Sequence, residues 1–132
     1  MANELLSIRD MVEKYQVTAR TLRFYEAKEL LAPLRDGQKR LFTKRDQARL
    51  KLILRGKRFG FALEEIRQLL DLYDMGDQQQ TQLRATYEIG LKHLTELKAK
   101  RDELTDAIDD LTEQLEWGAQ KLAAFEAGKA AE

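Results

Sequence analysis

The sequence holds no cysteine, one proline and one histidine among 132 residues. Without cysteine there can be no disulfide, no thiolate metal site and no iron–sulfur cluster. The single histidine, His93, cannot build a closed site for a soft metal, which needs several nitrogen or sulfur ligands. No metal and no other cofactor is therefore expected. His93 falls on the flank of a predicted helix and reads as a solvated residue. No nucleotide-binding loop and no paired-carboxylate pocket is present, which argues against an enzyme. No apolar run approaches about eighteen residues and there is no signal-peptide pattern, so the chain reads as cytoplasmic with no membrane partner. One proline and seven glycines against 35% charged residues favour an all-α protein with long solvated helix faces.

What the chain does have is unevenly placed charge. Its net charge is zero, yet Met1 to Gly76 carries 16 Lys and Arg against 11 Asp and Glu, a net +5. Asp77 to Glu132 carries 7 against 12, a net −5. Between Thr18 and Gly60 the count is 13 against 4, a net +9. Positive charge gathered in one segment fits a polyanion such as nucleic acid.

The basic segment carries a helix-turn-helix pattern. Ser7 to Tyr15 reads as a short helix, with Ser7 as its cap, Asp10 three residues on, and Ile8, Met11, Val12 and Tyr15 as its apolar face. Met1 to Leu6 before it reads as a frayed arm. Only Gln16 and Val17 separate this helix from the next, which Thr18 caps. Leu22 and the Phe24–Tyr25 pair are expected on its inner side. Arg20, Thr21 and Arg23 lie on its first turns, where two arginines and a hydroxyl suit phosphate and base-edge contact. Pro33 ends the helical pattern, and Leu34 to Leu41 reads as a hairpin turning at Asp36–Gly37. Such a hairpin is a wing, from which Arg35, Lys39 and Arg40 can reach the DNA backbone or minor groove. Thr43, with Asp46 three residues on, caps a third helix. Its Ala48, Leu50, Leu52, Ile53, Leu54 and Phe59 imply packing on more than one side. Gly60 suits the left-handed residue that ends it. A fourth helix starts near Leu63, with Ile66, Leu69, Leu70 and Tyr73 inward. Ala62 cannot cap it, a lack that Glu65 can partly offset. Arg55, Lys57 and Arg58 either hold phosphates or simply favour the C-terminus of the third helix.

Asp74 to Asp77 breaks the pattern, and a long proline-free helix follows. Heptads place Tyr87, Leu94, Arg101, Ile108, Leu115 and Leu122 at a, and Leu83, Gly90, Leu97, Leu104, Leu111, Gly118 and Phe125 at d. A helix this long needs a partner for its seam, and its own copy is the obvious one. Arg101 at a core position either fixes register against Glu96 or Asp102 of the partner, or snorkels outward. Gly118 is expected to bend or end the helix, and Asp102 to Asp110 to form a solvated face. The expected division is a DNA-binding domain over 1–76 and a coiled-coil dimerisation helix with a tail over 77–132.

Several blocks of this chain resemble the MerR family of bacterial transcription regulators. They are Arg20-Thr21-Leu22-Arg23-Phe24-Tyr25-Glu26, Leu30-Leu31, Arg40, Phe42-Thr43, Leu52 to Gly56, Phe59-Gly60-Phe61 and Leu63 to Ile66. The resemblance implies a winged helix-turn-helix followed by an antiparallel coiled-coil homodimer. It implies a palindromic promoter operator that is bent and untwisted beside RNA polymerase, in the bacterial nucleoid. DNA contacts are then expected from Thr18, Arg20, Thr21, Arg23, Tyr25, Arg35, Lys39, Arg40, Lys57 and Arg58. The chain departs from the family pattern at Gln38-Lys39, where wings usually carry Gly-Tyr, and at Phe24 and Phe42, where tyrosine is common. Arg49 to Gly60 and Leu72 to Asp74 look most like regulators of leucine and isovalerate utilisation genes. Trp117, Leu122 and Phe125, with Tyr87 of a partner nearby, either seal the coil or bind a small organic effector. A coiled-coil adaptor tethered to nucleic acid without sequence preference is the alternative reading.

Overall fold

In the computed structural model residues 4–75 and 80–131 are described. The elements run α1 (Ile8–Tyr15), α2 (Ala19–Ala27), β1 (Leu34–Asp36), β2 (Lys39–Leu41), α3 (Lys44–Arg58), α4 (Leu63–Met75) and α5 (Gln80–Ala131). The expectations for Met1 to Asn3, for Gly76–Asp77 and for the Tyr73 side chain fall outside the described residues. The chain divides into two compact units, one up to His93 and one from Leu94.

Local chemistry sets the helix starts in the first unit. Ser7 and Asp10 exchange side-chain and backbone bonds across the first turn of α1, and Thr43 and Asp46 do the same for α3. Thr18 accepts from the Thr21 amide at the start of α2. Gly60 takes φ +89° after α3. The Ala62 amide donates to Glu65 Oε1 at 2.7 Å, so the missing hydroxyl cap of α4 is replaced by a carboxylate one turn on. Asp36 and Lys39 flank a two-residue turn in an antiparallel pair running from Leu34↔Leu41 to Asp36↔Lys39, with Gly37 at φ +65°.

The core gathers Met11 of α1, Leu22 and Tyr25 of α2, Leu30 and Leu31, Phe42, Leu50 and Ile53 of α3, and Ile66 and Leu70 of α4. On α3 the buried residues Leu52, Ile53, Asp46, Leu50 and Gln47 spread over about 220° of the helix circumference. That is the packing on more than one side that its sequence implied. Gly56 sits where α3 meets α4: a Cβ there would lie 2.9 Å from Ile66 Cγ1, so only glycine allows this approach.

Five expectations are corrected. Leu6 is not frayed; its amide and carbonyl both bond Phe42, at 3.0 and 2.7 Å, and its side chain packs on the core. Phe24 faces outward, because Leu22 and Tyr25 are three residues apart and share the inner face. Ala48 and Phe59 are exposed. Asp74 and Met75 do not break α4, which runs through Met75. Gly118 does not end α5, since the helix continues to Ala131.

Candidate nucleic-acid interface

The outer face of α2 starts from its cap. Thr18 Oγ1 accepts from the Thr21 amide at 3.0 Å and lies 2.8 Å from Thr21 Oγ1. The two hydroxyls thus brace each other at the mouth of the helix, where unpaired amides favour an anion. Arg20 in the first turn and Arg23 one turn on are exposed and enter no ion pair among the described residues. Tyr25 is the exception within the expected contact set. The residue is only 3% exposed, because it shares the inner stripe with Leu22. So buried a ring presents no face to DNA, which corrects the broad surface contact expected of Tyr25.

Arg23 stands three residues before Glu26, within reach of it on a helix, but Glu26 points to the wing. Arg35 donates to Glu26 Oε2 at 2.8 Å and Arg40 donates to Glu26 Oε1. One carboxylate therefore ties both strands of the hairpin to the end of α2. It fixes where Lys39 and the turn stand relative to the helix. Burial alone would raise the Glu26 pKa; the bonds and charges of Arg40 and Arg35 outweigh it and hold it below the usual carboxylate value. A depressed pKa stabilises the fold above the ordinary carboxylate range, and this contribution is lost as pH falls through the lowered value. Arg35 and Arg40 keep hydrogen-bonding edges beyond Glu26, but they are committed side chains. Lys39, Lys57 and Arg58 are exposed and unpaired among the described residues.

A second connection was not anticipated. His93 is not a solvated flank residue. Its ring stacks on Phe61 with centroids 4.7 Å apart, and Nε2–H donates to Glu65 Oε1 at 2.9 Å. The Ala62 amide and the His93 bond together lower the Glu65 pKa. The same carboxylate that caps α4 therefore also holds α5 at His93, thirteen residues on from Gln80. Its signal in the sequence was weak, since Glu65 and His93 are 28 residues apart.

In the second unit Leu94, Leu97, Leu104, Ile108, Leu111 and Leu115 are all exposed, as are Trp117, Leu122 and Phe125. Arg101 donates to Asp102 Oδ1 of its own chain at 3.2 Å. In the first unit Leu83 and Tyr87 are likewise exposed. Among the described residues no cluster of His, Cys, Asp or Glu is placed to hold a metal ion, and no helix is long and apolar enough to cross a membrane.

Comparison with known proteins gives consistent matches. The family model described as "MerR HTH family regulatory protein" covers residues 6–72, and that described as "MerR, DNA binding" covers residues 47–114. The HTH-type transcriptional regulator HmrR of Rhizobium leguminosarum bv. viciae is 33% identical over 102 residues, 76% of this chain and 77% of HmrR. The HTH-type transcriptional regulator CueR of Salmonella typhi is 32% identical over 106 residues, 75% of this chain and 76% of CueR. Among solved structures, HiNmlR, a MerR family regulator lacking the sensor domain and bound to promoter DNA, matches with a TM-score of 0.63. It is 27% identical, over 77% of this chain and 79% of HiNmlR.

Proposed function

This chain belongs to the MerR family of DNA-binding transcriptional regulators, and from that premise we propose that it acts as a homodimer on a palindromic promoter operator. In this reading residues 1–76 bind DNA and residues 77–132 dimerise through an antiparallel coiled coil. The chain works by binding rather than catalysis, in the cytoplasm, beside RNA polymerase on DNA that it bends and untwists. The observation that carries the reading is the outer face of α2. Two arginines with no ion pair among the described residues stand beside a braced hydroxyl cap, and a carboxylate clamps the wing alongside.

Arg20 is the base reader of this proposal, with Thr18, Thr21, Arg23, Lys39, Lys57 and Arg58 on phosphates. Arg35 and Arg40 contact the backbone through the edges that Glu26 leaves open, and Tyr25 through its hydroxyl. Titration of selected operator fragments at several salt concentrations tests it. Arg20→Ala is expected to relax specificity at one position of each half-site, at roughly 1–3 kcal/mol. Arg23→Ala is expected to weaken all sequences alike and to flatten the salt slope. Unchanged binding by both folded variants would remove α2 from recognition. Affinity without any sequence preference would favour the adaptor reading instead.

The resemblance of Arg49 to Gly60 and of Leu72 to Asp74 supports a place among regulators of leucine and isovalerate utilisation genes. The effector would then be a branched-chain catabolite or its acyl-CoA thioester, bound near Trp117, Leu122 and Phe125. Trp117 is the only tryptophan, so its emission reports on this end without labelling. Titration with these compounds is expected to change both Trp117 emission and operator affinity; no change in either eliminates the effector.

A further inference from the structure

The outer face of α2 holds one large apolar side chain among its polar ones. Leu22 and Tyr25 turn into the core, and Glu26 is spent on the wing. Phe24 is 47% exposed and follows Arg20 by four residues, which sets it about 40° round the helix from that arginine. Arg23 flanks it on one side and Lys28 on the other. The ring is braced there: it tilts at 57° against the Tyr25 ring with centroids 5.7 Å apart, and the Lys28 ammonium lies 5.7 Å from its centre.

A benzyl group left half in water gains the isolated fold little apolar burial beyond these two contacts. It offers no donor to a phosphate either, so electrostatic contact falls to its neighbours. In the major groove the exposed apolar group of a base pair is the C5 methyl of thymine. We infer that Phe24 is a specificity-determining residue that packs on a thymine methyl in each half-site, next to the base read by Arg20. The inference rests on α2 being the reading helix, and it adds apolar readout to the arginine contacts.

Deoxyuridine separates this contact from every other, because it keeps the pairing and hydrogen-bonding edge of thymidine and lacks only the methyl. Each thymine of a selected operator is replaced singly, and binding by the full chain is measured with wild-type, Phe24→Ala and Phe24→Leu proteins. One thymine per half-site is expected to lose about fourfold in wild-type affinity on replacement, the worth of one buried methyl group. Phe24→Ala is expected to bind the thymine operator several-fold more weakly and to be indifferent to deoxyuridine at that position alone. Phe24→Leu should keep part of the preference. The inference is overturned if no replacement distinguishes wild type from Phe24→Ala, or if the selected half-sites share no thymine. Failure of the underlying reading looks different: no operator is selected, or Arg20→Ala and Arg23→Ala bind as wild type does.

Discussion

Asp46→Ala should cost the first unit roughly 2–4 kcal/mol, a large share of the 5–15 kcal/mol that holds a small domain together. The Asp46 side chain is 1% exposed, and its two oxygens serve three donors. Oδ2 accepts from the Thr43 amide and hydroxyl, both at 3.1 Å. Oδ1 accepts from the Ala32 amide at 3.0 Å. Truncation removes the reciprocal half of the α3 capping box, worth about 0.3–1.5 kcal/mol, while the Thr43 hydroxyl still accepts from the backbone amide of residue 46. The same change also strands the Ala32 and Thr43 amides, whose bonds are only part-buried, at about 1 kcal/mol each, the low end of the cost of an unsatisfied group.

Asp10 provides the internal control. It makes the same capping box with Ser7, but on the surface and with no third donor. Asp10→Ala should cost less than about 1 kcal/mol, since only the exposed, reciprocal half of its box is lost. Asp46→Asn should fall between the two, since its amide nitrogen meets a donor where the carboxylate had an acceptor. Urea unfolding followed by far-ultraviolet circular dichroism measures all three through their midpoints. The Ala32 bond also fixes where the chain enters β1, so operator affinity should fall with Asp46→Ala even where the protein is fully folded. Equal costs for Asp46→Ala and Asp10→Ala would refute the claim that Asp46 does more than cap a helix.

Asp46 shows what the sequence made legible and what it did not. Its capping of Thr43 is an i,i+3 relation and can be read directly, as can Thr18, the Ser7–Asp10 box, Asp36–Gly37 and the Glu65 substitute cap. Its bond to Ala32, across fourteen residues, follows only once the fold is known. The same divide runs through the interface. Adjacent aromatics at Phe24 and Tyr25 look alike in a pattern of apolar residues, and only the i,i+3 relation to Leu22 decides which one the core takes. Glu26 had a local candidate in Arg23, but the closing of the hairpin brings two arginines to it instead. His93 was misread for the same reason, since Phe61 and Glu65 reach it through tertiary packing. Periodicity predicts which face of a helix is apolar. It does not rank the partners of a charged or aromatic side chain when several lie within reach.

The exposed heptad residues carry the other large effect. Leu104 and Ile108 are 64% and 61% exposed in the single chain, and covering a leucine or isoleucine is worth about 1.5–3 kcal/mol. In the proposed homodimer every substitution occurs twice. Leu104→Asp therefore forfeits about 3–6 kcal/mol of association before any cost of burying its charge, which corresponds to about two to four decades in the dimer dissociation constant. Asp109→Ala changes a neighbouring residue off the seam and should leave the dimer intact. Arg101→Leu exchanges a charge at a core position for an apolar side chain; it should keep or raise stability while admitting other registers or oligomers. Sedimentation equilibrium at micromolar concentration distinguishes these outcomes, with circular dichroism showing that α5 remains helical in each. Loss of the dimer should carry over to DNA, because a monomer reaches only one half-site and forgoes the contacts of the other. Leu104→Asp should then bind a full operator little better than an isolated half-site. A Leu104→Asp protein that sediments as a dimer would place the association elsewhere, and a wild-type monomer under the same conditions would end the two-fold operator reading altogether.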